Sequence, residues 1–248
     1  MPTVATFQAQ APQAQAQASQ AQAPQAGHHV RHHQSLLAAP EKRLLVWIAR
    51  RLPARLNPDH LSALGLVSML GVGLSFWAAS AAPQVALPLV VVFLVLNWAG
   101  DSLDGTLARV RDCQRPRYGF YVDHVIDIAG TTMMIAGLAM SGHMTPIVAV
   151  SVLAAWLLVS AESFLATFSR GIFRMSFGWF GPTEFRLLIA AGAIKLLDGG
   201  IVTPFGMGPY HVFDVGAVAA TIGMGIAFVV SAIRNTIVLY REETGVRR

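Results

Sequence analysis

The chain is dominated by six long runs in which apolar residues follow one another with few interruptions: about Leu61 to Ala82, Val85 to Ala108, Gly119 to Met140, Thr145 to Phe168, Thr183 to Leu197 or slightly beyond, and Val212 to Tyr240. A helix needs about 20 apolar residues to cross about 30 Å of hydrocarbon, and only helices or closed barrels satisfy every backbone polar group there. Composition points the same way. With 54% hydrophobic and 12% charged residues in 248, a water-soluble globule would lack the polar surface to cover its core. The expected fold is an all-α membrane protein with six transmembrane helices.

A shorter stretch precedes the first run. From Lys42 to Arg55, Leu44, Leu45, Ile48 and Leu52 share one helical face while Arg43, Arg50 and Arg51 fall largely off it, the pattern of an amphipathic helix lying in the headgroup layer. Pro53 stops it, Asn57 can cap the next helix and Pro58 can occupy its first turn. Residues 1–40 form a Gln/Ala/Pro-rich tract containing His28, His29, His32 and His33, too poor in large apolar side chains to bury a core, so a disordered tail is expected. It lacks the pattern of a secretory signal, and its histidines, without a carboxylate or cysteine beside them, read as solvated. Residues 41–248 are then one membrane domain. Cys113 is the single cysteine, which excludes an internal disulfide.

The net charge of +5 does not point to nucleic acid, because the basic residues are divided among loops instead of gathered on a soluble face. They cluster before the first run, at Arg109, Arg111, Arg115 and Arg117 between the second and third, at Arg170, Arg174 and Arg186 around the fourth connection, and at Arg234, Arg241, Arg247 and Arg248 near the end. The opposite loops hold only Lys195. By the positive-inside rule both termini and the loop at residues 109–118 are expected on the cytoplasmic side.

Four carboxylates interrupt this apolar background within one stretch. Asp101 and Asp104 are three residues apart at the end of the second run, and Asp123 and Asp127 four apart at the start of the third. On helices each pair projects from one face, so all four can converge between two neighbouring helices. Ionised groups beside hydrocarbon are costly and mark function. The helix dipole favours Asp123 near a helix start whatever its role, but it disfavours Asp101 and Asp104 near a C-terminal end. Carboxylates are hard ligands suited to Mg²⁺ or Mn²⁺, and such ions in turn hold a diphosphate and stabilise charge on a leaving phosphate. A carboxylate in the set can also take the proton of an attacking hydroxyl. Gly105 and Ala108 lie on the side of Asp101 and Asp104 and leave room for a nucleotide or for close helix packing; Gly119 can make room on the third run, and Arg109 can pair with phosphate.

The order Asp101-x-x-Asp104-Gly105-x-x-Ala108-Arg109, then Gly119-x-x-x-Asp123-x-x-x-Asp127, resembles the signature of the CDP-alcohol phosphatidyltransferases. Pro58-Asp59-x-x-Ser62 is similar to that family's Pro-Asn-x-x-Thr element, with Asp in place of Asn. The nine-residue spacer from Val110 to Tyr118 is one longer than the family pattern, in an Arg/Pro-rich loop that absorbs it. The resemblance covers Lys42 to Tyr240. It implies that Asp101, Asp104, Asp123 and Asp127 hold divalent metal, two Mg²⁺ or Mn²⁺ ions, at the diphosphate of a CDP-linked lipid donor, with Asp127 also the catalytic base toward the acceptor alcohol. Gly105, Ala108, Arg109 and Gly119 would bind the nucleotide. CMP would leave, the product would be a phospholipid, and the enzyme would be a homodimer.

Other polar residues in the runs need an account. Glu162, Arg170 and Arg186, with Glu184 nearby, form the expected acceptor-binding set, and interfacial ion pairing explains them equally well. Asn97, one turn before Asp101, is a candidate to hydrogen-bond a ligand, and His124 reads as an interfacial histidine. Trp47 and Tyr240 read as interface anchors. Intramembrane carboxylates also serve ion- or proton-coupled transporters, but these show repeats or broken helices near the midplane, whereas here the acids gather at one end of two runs. Aspartate-rich prenyltransferases carry acidic motifs much farther apart.

Overall fold

The computed structural model describes residues 38–170 and 182–245. Residues 1–37 of the expected tail, with its histidines, and Arg174, Arg247 and Arg248 lie outside those residues, whereas residues 38–40 are helical. Among the described residues there are seven α-helices: α1 (Ala38–Ala49), α2 (Pro58–Ala78), α3 (Pro83–Val110), α4 (Pro116–Met140), α5 (Pro146–Arg170), α6 (Pro182–Leu196) and α7 (Val212–Thr244). A two-residue hairpin, β1 (Ile201–Val202) against β2 (Tyr210–His211), joins α6 to α7. Five consecutive helices, α2 to α6, open on a proline, whose fixed φ suits a first turn and whose missing N–H would have no intrahelical partner. At the start of α2, Asn57 caps the helix and its backbone N–H donates to His60 Nδ1 at 3.2 Å.

Helices α2, α3 and α4 form the central packing unit. Their backbones touch because glycines face each other: a Cβ on Gly100 would meet Leu61 O at 2.6 Å, and one on Gly137 would collide with the carbonyl of Gly73. Small residues at crossings are how membrane helices gain van der Waals contact without a hydrophobic driving force. The core above these crossings holds Val72, Phe76, Leu87, Val90, Met134 and Leu138. Phe213 of α7 joins it, edge-on to Phe76 with ring centroids 5.5 Å apart. A second cluster unites Leu45 and Ala49 of α1 with Leu61, Leu103 and Leu107, so α1 rests directly on the part of α3 that carries the aspartates.

Helices α5 and α7 pair with each other in parallel. Near their starts Asp214 accepts hydrogen bonds from Thr145 N at 2.8 Å and Thr145 Oγ1 at 2.6 Å; near their ends Arg170 bonds Asn235.

The protein is an all-α integral membrane protein: five helices, α2, α3, α4, α5 and α7, are long and apolar enough to cross a bilayer. Large apolar side chains such as Val67, Trp77, Val85, Ile147 and Leu165 are exposed on them, as lipid-facing residues are. The fifth expected span, Thr183 to Leu197, falls on α6, but its 15 residues fall short of that length, and it carries Glu184 and Arg186 in its first turns. The stretch expected as one amphipathic helix to Arg55 is helical only to Ala49. There Leu45 and Ala49 are buried against α3, whereas Leu44 and Trp47 are exposed.

Candidate active site

Asp101 lies nine residues before the end of α3, and Asp123 and Asp127 lie in the first half of α4. Residues spaced three or four apart share a helix face, so Asp123 and Asp127 stand one turn apart and look toward α3. The result is a group of three. Oxygens of Asp101, Asp123 and Asp127 lie within 4.8 Å of one another, each side chain half-buried. Oxygens on opposite sides of a single Mg²⁺ are about 4 Å apart, given ligand distances near 2.0–2.1 Å. Three hard carboxylate oxygens at this separation fit a divalent ion.

Asp104 is not one of the three. Its Oδ2 accepts a 2.6 Å hydrogen bond from Ser62 Oγ of α2, and its Oδ1 lies 2.5 Å from the Gly105 backbone N–H. Ser62 belongs to the short element expected before the first span, and its bond to a motif aspartate is a contact that sequence reasoning missed. Its signal was present only as the Pro58-Asp59-x-x-Ser62 spacing.

The four residues expected at a nucleotide are gathered at the same end of α3 and α4. Gly105 and Ala108 are half-buried, and Gly119 and Arg109 are exposed. A Cβ at Gly119 would meet nothing within 4 Å, and one at Gly105 would meet only the tip of Arg109 at 3.4 Å. Close helix packing therefore does not account for either glycine. Arg109 donates to Thr106 Oγ1 at 3.0 Å, which lays its guanidinium along the open side of α3.

Glu162, Arg170 and Arg186 fall into two separate networks. Glu162 on α5 accepts from Ser231 Oγ at 2.9 Å and Asn235 Nδ2 at 2.6 Å on α7, and Arg170 donates to Asn235 Oδ1 at 2.5 Å. Ser231 and Asn235, four residues apart on one face of α7, were not singled out from sequence; polar side chains in an apolar run were the available signal. Arg186 on α6 instead bonds Asp101 Oδ2 at 2.5 Å and, through Nε, Asn97 Oδ1 at 2.8 Å. Asn97 is buried and donates to Gly65 O at 3.0 Å. The interfacial reading of His124 is corrected: its ring is 5% exposed, tilted over Phe120 and edge-on to Phe164, because it points from α4 toward α5 and not outward.

Two further side chains, Glu41 and Arg111, fix α1 and the following loop. Glu41 accepts from Trp98 Nε1 at 2.7 Å and Thr183 Oγ1 at 3.3 Å, tying α1 to both α3 and α6. Arg111, just past α3, donates to the carbonyls of Leu52, Pro53 and Leu56.

The family model described as CDP-alcohol phosphatidyltransferase matches residues 56–237, from the turn before α2 to within α7. No curated protein gives a match to the chain.

Proposed function

The chain belongs to the CDP-alcohol phosphatidyltransferase family, enzymes that transfer substituted phosphate groups in phospholipid biosynthesis, and from that premise we propose that it moves a phosphatidyl group from CDP-diacylglycerol to an alcohol. The observation that carries this reading is the convergence of Asp101, Asp123 and Asp127 from two adjacent membrane helices. The family generally uses divalent metal. In the proposed site Asp101, Asp123 and Asp127, with Asp104 beside them, hold two Mg²⁺ or Mn²⁺ ions. Such ions, when bound, neutralise the donor diphosphate and stabilise charge on the departing phosphate.

The protein's own groups do the rest. Gly105, Ala108 and Gly119 leave space for cytidine, and Arg109 pairs with phosphate oxygen. Asp127 accepts the proton of the acceptor hydroxyl. As that oxygen bonds to the phosphorus distal to cytidine, the bond from this phosphorus to the bridging oxygen breaks, and CMP departs with the bonding pair. Glu162 and Arg170 are proposed for the acceptor side, where the network through Asn235 presents both charges between α5 and α7. Arg186 is already engaged by Asp101 and Asn97.

The proposed domain is residues 41–248, and we propose that α6 is a sixth span. Helices α5 and α7 run parallel, and α6 lies between them in sequence; its Arg186 meets the aspartate end of α3, while a Cβ on its Gly192 would press on Phe213 at the start of α7. It thus returns the chain across the protein. At about 1.5 Å per residue it covers roughly 22 Å, which local thinning of the bilayer or neighbouring residues extend. An even number of crossings puts the basic segments at residues 42–55, 109–117 and 234–248 on one face, cytoplasmic by the positive-inside rule. The proposed site then opens to the cytosol, where CDP-linked donors and soluble acceptors meet, and the proposed assembly is a homodimer.

The test is CMP release by the purified protein with Mg²⁺ or Mn²⁺, using CDP-diacylglycerol against a panel of inositol phosphate, glycerol phosphate and serine, with other CDP-alcohols plus diacylglycerol as a second arm. Release with CDP-diacylglycerol and one acceptor supports the reading. No CMP from any donor would overturn it.

A further inference from the structure

Arg186 sits where a conventional reading of an acid cluster would not put a cation. Its NH2 is 2.5 Å from Asp101 Oδ2, and Asp101 is one of the three carboxylates that converge. The pair is sheltered, with side chains only 15% and 29% exposed. It is also anchored. Nε donates to Asn97 Oδ1 at 2.8 Å, and Asn97, itself buried, hangs from the Gly65 carbonyl at 3.0 Å. A Cβ on Gly65 would lie 3.7 Å from Asn97 Nδ2 and from the backbone nitrogen of Asp101, so the relay is packed at its root.

The relay runs from the α2 backbone through Asn97 of α3 to Arg186 of α6 and back to α3 at Asp101. A guanidinium presents its donors in a rigid planar fork, so with Nε fixed by Asn97 the NH2 direction is fixed too. One oxygen of Asp101 is thereby engaged by the guanidinium, which opposes rotation of the carboxylate toward a two-oxygen contact. Thr183, one turn before Arg186, is tied to Trp98, next to Asn97, through Glu41, which holds α6 against α3 beside the relay.

We infer that Arg186, braced by Asn97, is a positioning residue that holds Asp101 to a single-oxygen contact in the metal site and moderates the affinity of that site. The inference rests on the metal-dependent reading above. Removing the cation leaves three acids less compensated and frees Asp101 to chelate through both oxygens, so a divalent ion binds more tightly but in the wrong place. Removing a cation that instead served the acceptor would leave the metal untouched.

The experiment titrates Mn²⁺ into the purified full-length protein in lipid nanodiscs without nucleotide, read by electron paramagnetic resonance, for wild type, Arg186→Gln, Arg186→Lys and Asn97→Ala, with kcat and acceptor KM measured in parallel. For Arg186→Gln we expect Mn²⁺ to bind about fivefold more tightly, as loss of one partly screened charge implies, with kcat down at least about tenfold and acceptor KM within about twofold. Arg186→Lys restores the charge without the fork, so it returns Mn²⁺ affinity to about the wild-type value and leaves kcat low. Asn97→Ala moves both quantities in the Arg186→Gln direction by less. Unchanged Mn²⁺ affinity in Arg186→Gln, or a rise of about tenfold or more in acceptor KM without a metal effect, overturns the inference. If Arg186→Gln does not fold, Asn97→Ala decides by the same criteria. Mn²⁺ binding needs no donor or acceptor, so it reports on Arg186 even if the wild type releases no CMP.

Discussion

Ser62 Oγ on α2 donates a 2.6 Å hydrogen bond to Asp104 Oδ2 on α3, joining residues 42 positions apart. The bond turns Asp104 toward α2 while Asp101, one turn earlier, faces α4 with Asp123 and Asp127. Two aspartates of one motif are thus aimed differently by their partners.

Ser62→Ala removes that aim without leaving a bulky side chain in its place. A hydrogen bond to a charged group contributes about 1.5–3 kcal/mol, so the turnover of the proposed reaction is expected to fall about tenfold or more if Asp104 serves the metal site. Ser62→Thr keeps the hydroxyl and is expected to retain most of the rate. Steady-state CMP release for both variants checks this, and equal rates for Ala and Thr would show that the hydroxyl does not matter.

Asp127→Asn keeps the shape of the side chain and removes its ability to take a proton. General-base contributions run about 10²–10⁴-fold, so kcat is expected to drop by at least that much while CDP binding stays measurable. Equilibrium binding of labelled CDP alongside the kinetics separates the two effects. A variant turning over at near the wild-type rate would take Asp127 out of the base role.

Much of this architecture could be read from the order of residues, for identifiable physical reasons. Apolar runs report membrane helices because bilayer thickness sets their length, and the expected and observed bounds differ by only a few residues where proline opens a helix, as at Pro58 and Pro146. The convergence of Asp101, Asp123 and Asp127 follows from spacing along two helices joined by a short loop. What did not follow was set by contacts between distant segments. Nothing local to Arg186 says that α6 will lay it on Asp101, 85 positions away, or that Asn235 will stand between Glu162 and Arg170. His124 follows Asp123 in sequence, yet adjacent residues on a helix point about 100° apart, and this one faces α5, which its own position in the run does not reveal. Helix α6 is the boundary case: its 15 residues fall short of a span by length, and its placement beside α3 and α7 rests on Arg186 and Gly192, whose contacts no local pattern announces.

Metal removal gives a prediction independent of any substitution. Three carboxylates within 4.8 Å repel one another, so a bound divalent ion stabilises the folded protein as well as serving chemistry. Chelation is expected to abolish CMP release and lower the thermal midpoint of the purified protein, and added Mn²⁺ is expected to restore both. In Asp123→Asn the midpoint should respond far less to Mn²⁺; an unchanged response would place the stabilising ion elsewhere.

The glycines of α3 separate fold from function. Gly100 and Gly105 are five residues apart on the same helix, but a Cβ on Gly100 would press into the α2 backbone at 2.6 Å, whereas one on Gly105 would meet only a flexible arginine tip. Overpacking a tight crossing costs about 1–3 kcal/mol, and replacing an open helical glycine by alanine gains up to about 1 kcal/mol. Gly100→Ala is therefore expected to lower the thermal midpoint and the yield of folded protein. Gly105→Leu and Gly119→Leu should leave the midpoint at or near wild type, because the space around them is open, and should instead weaken CDP binding by about tenfold or more if that space is where the nucleotide lies. Thermal unfolding and CDP titration on the same preparations check both halves. Stable Gly105→Leu and Gly119→Leu proteins that bind CDP normally would move the nucleotide away from this end of α3 and α4, and with it the proposed roles of Ala108 and Arg109.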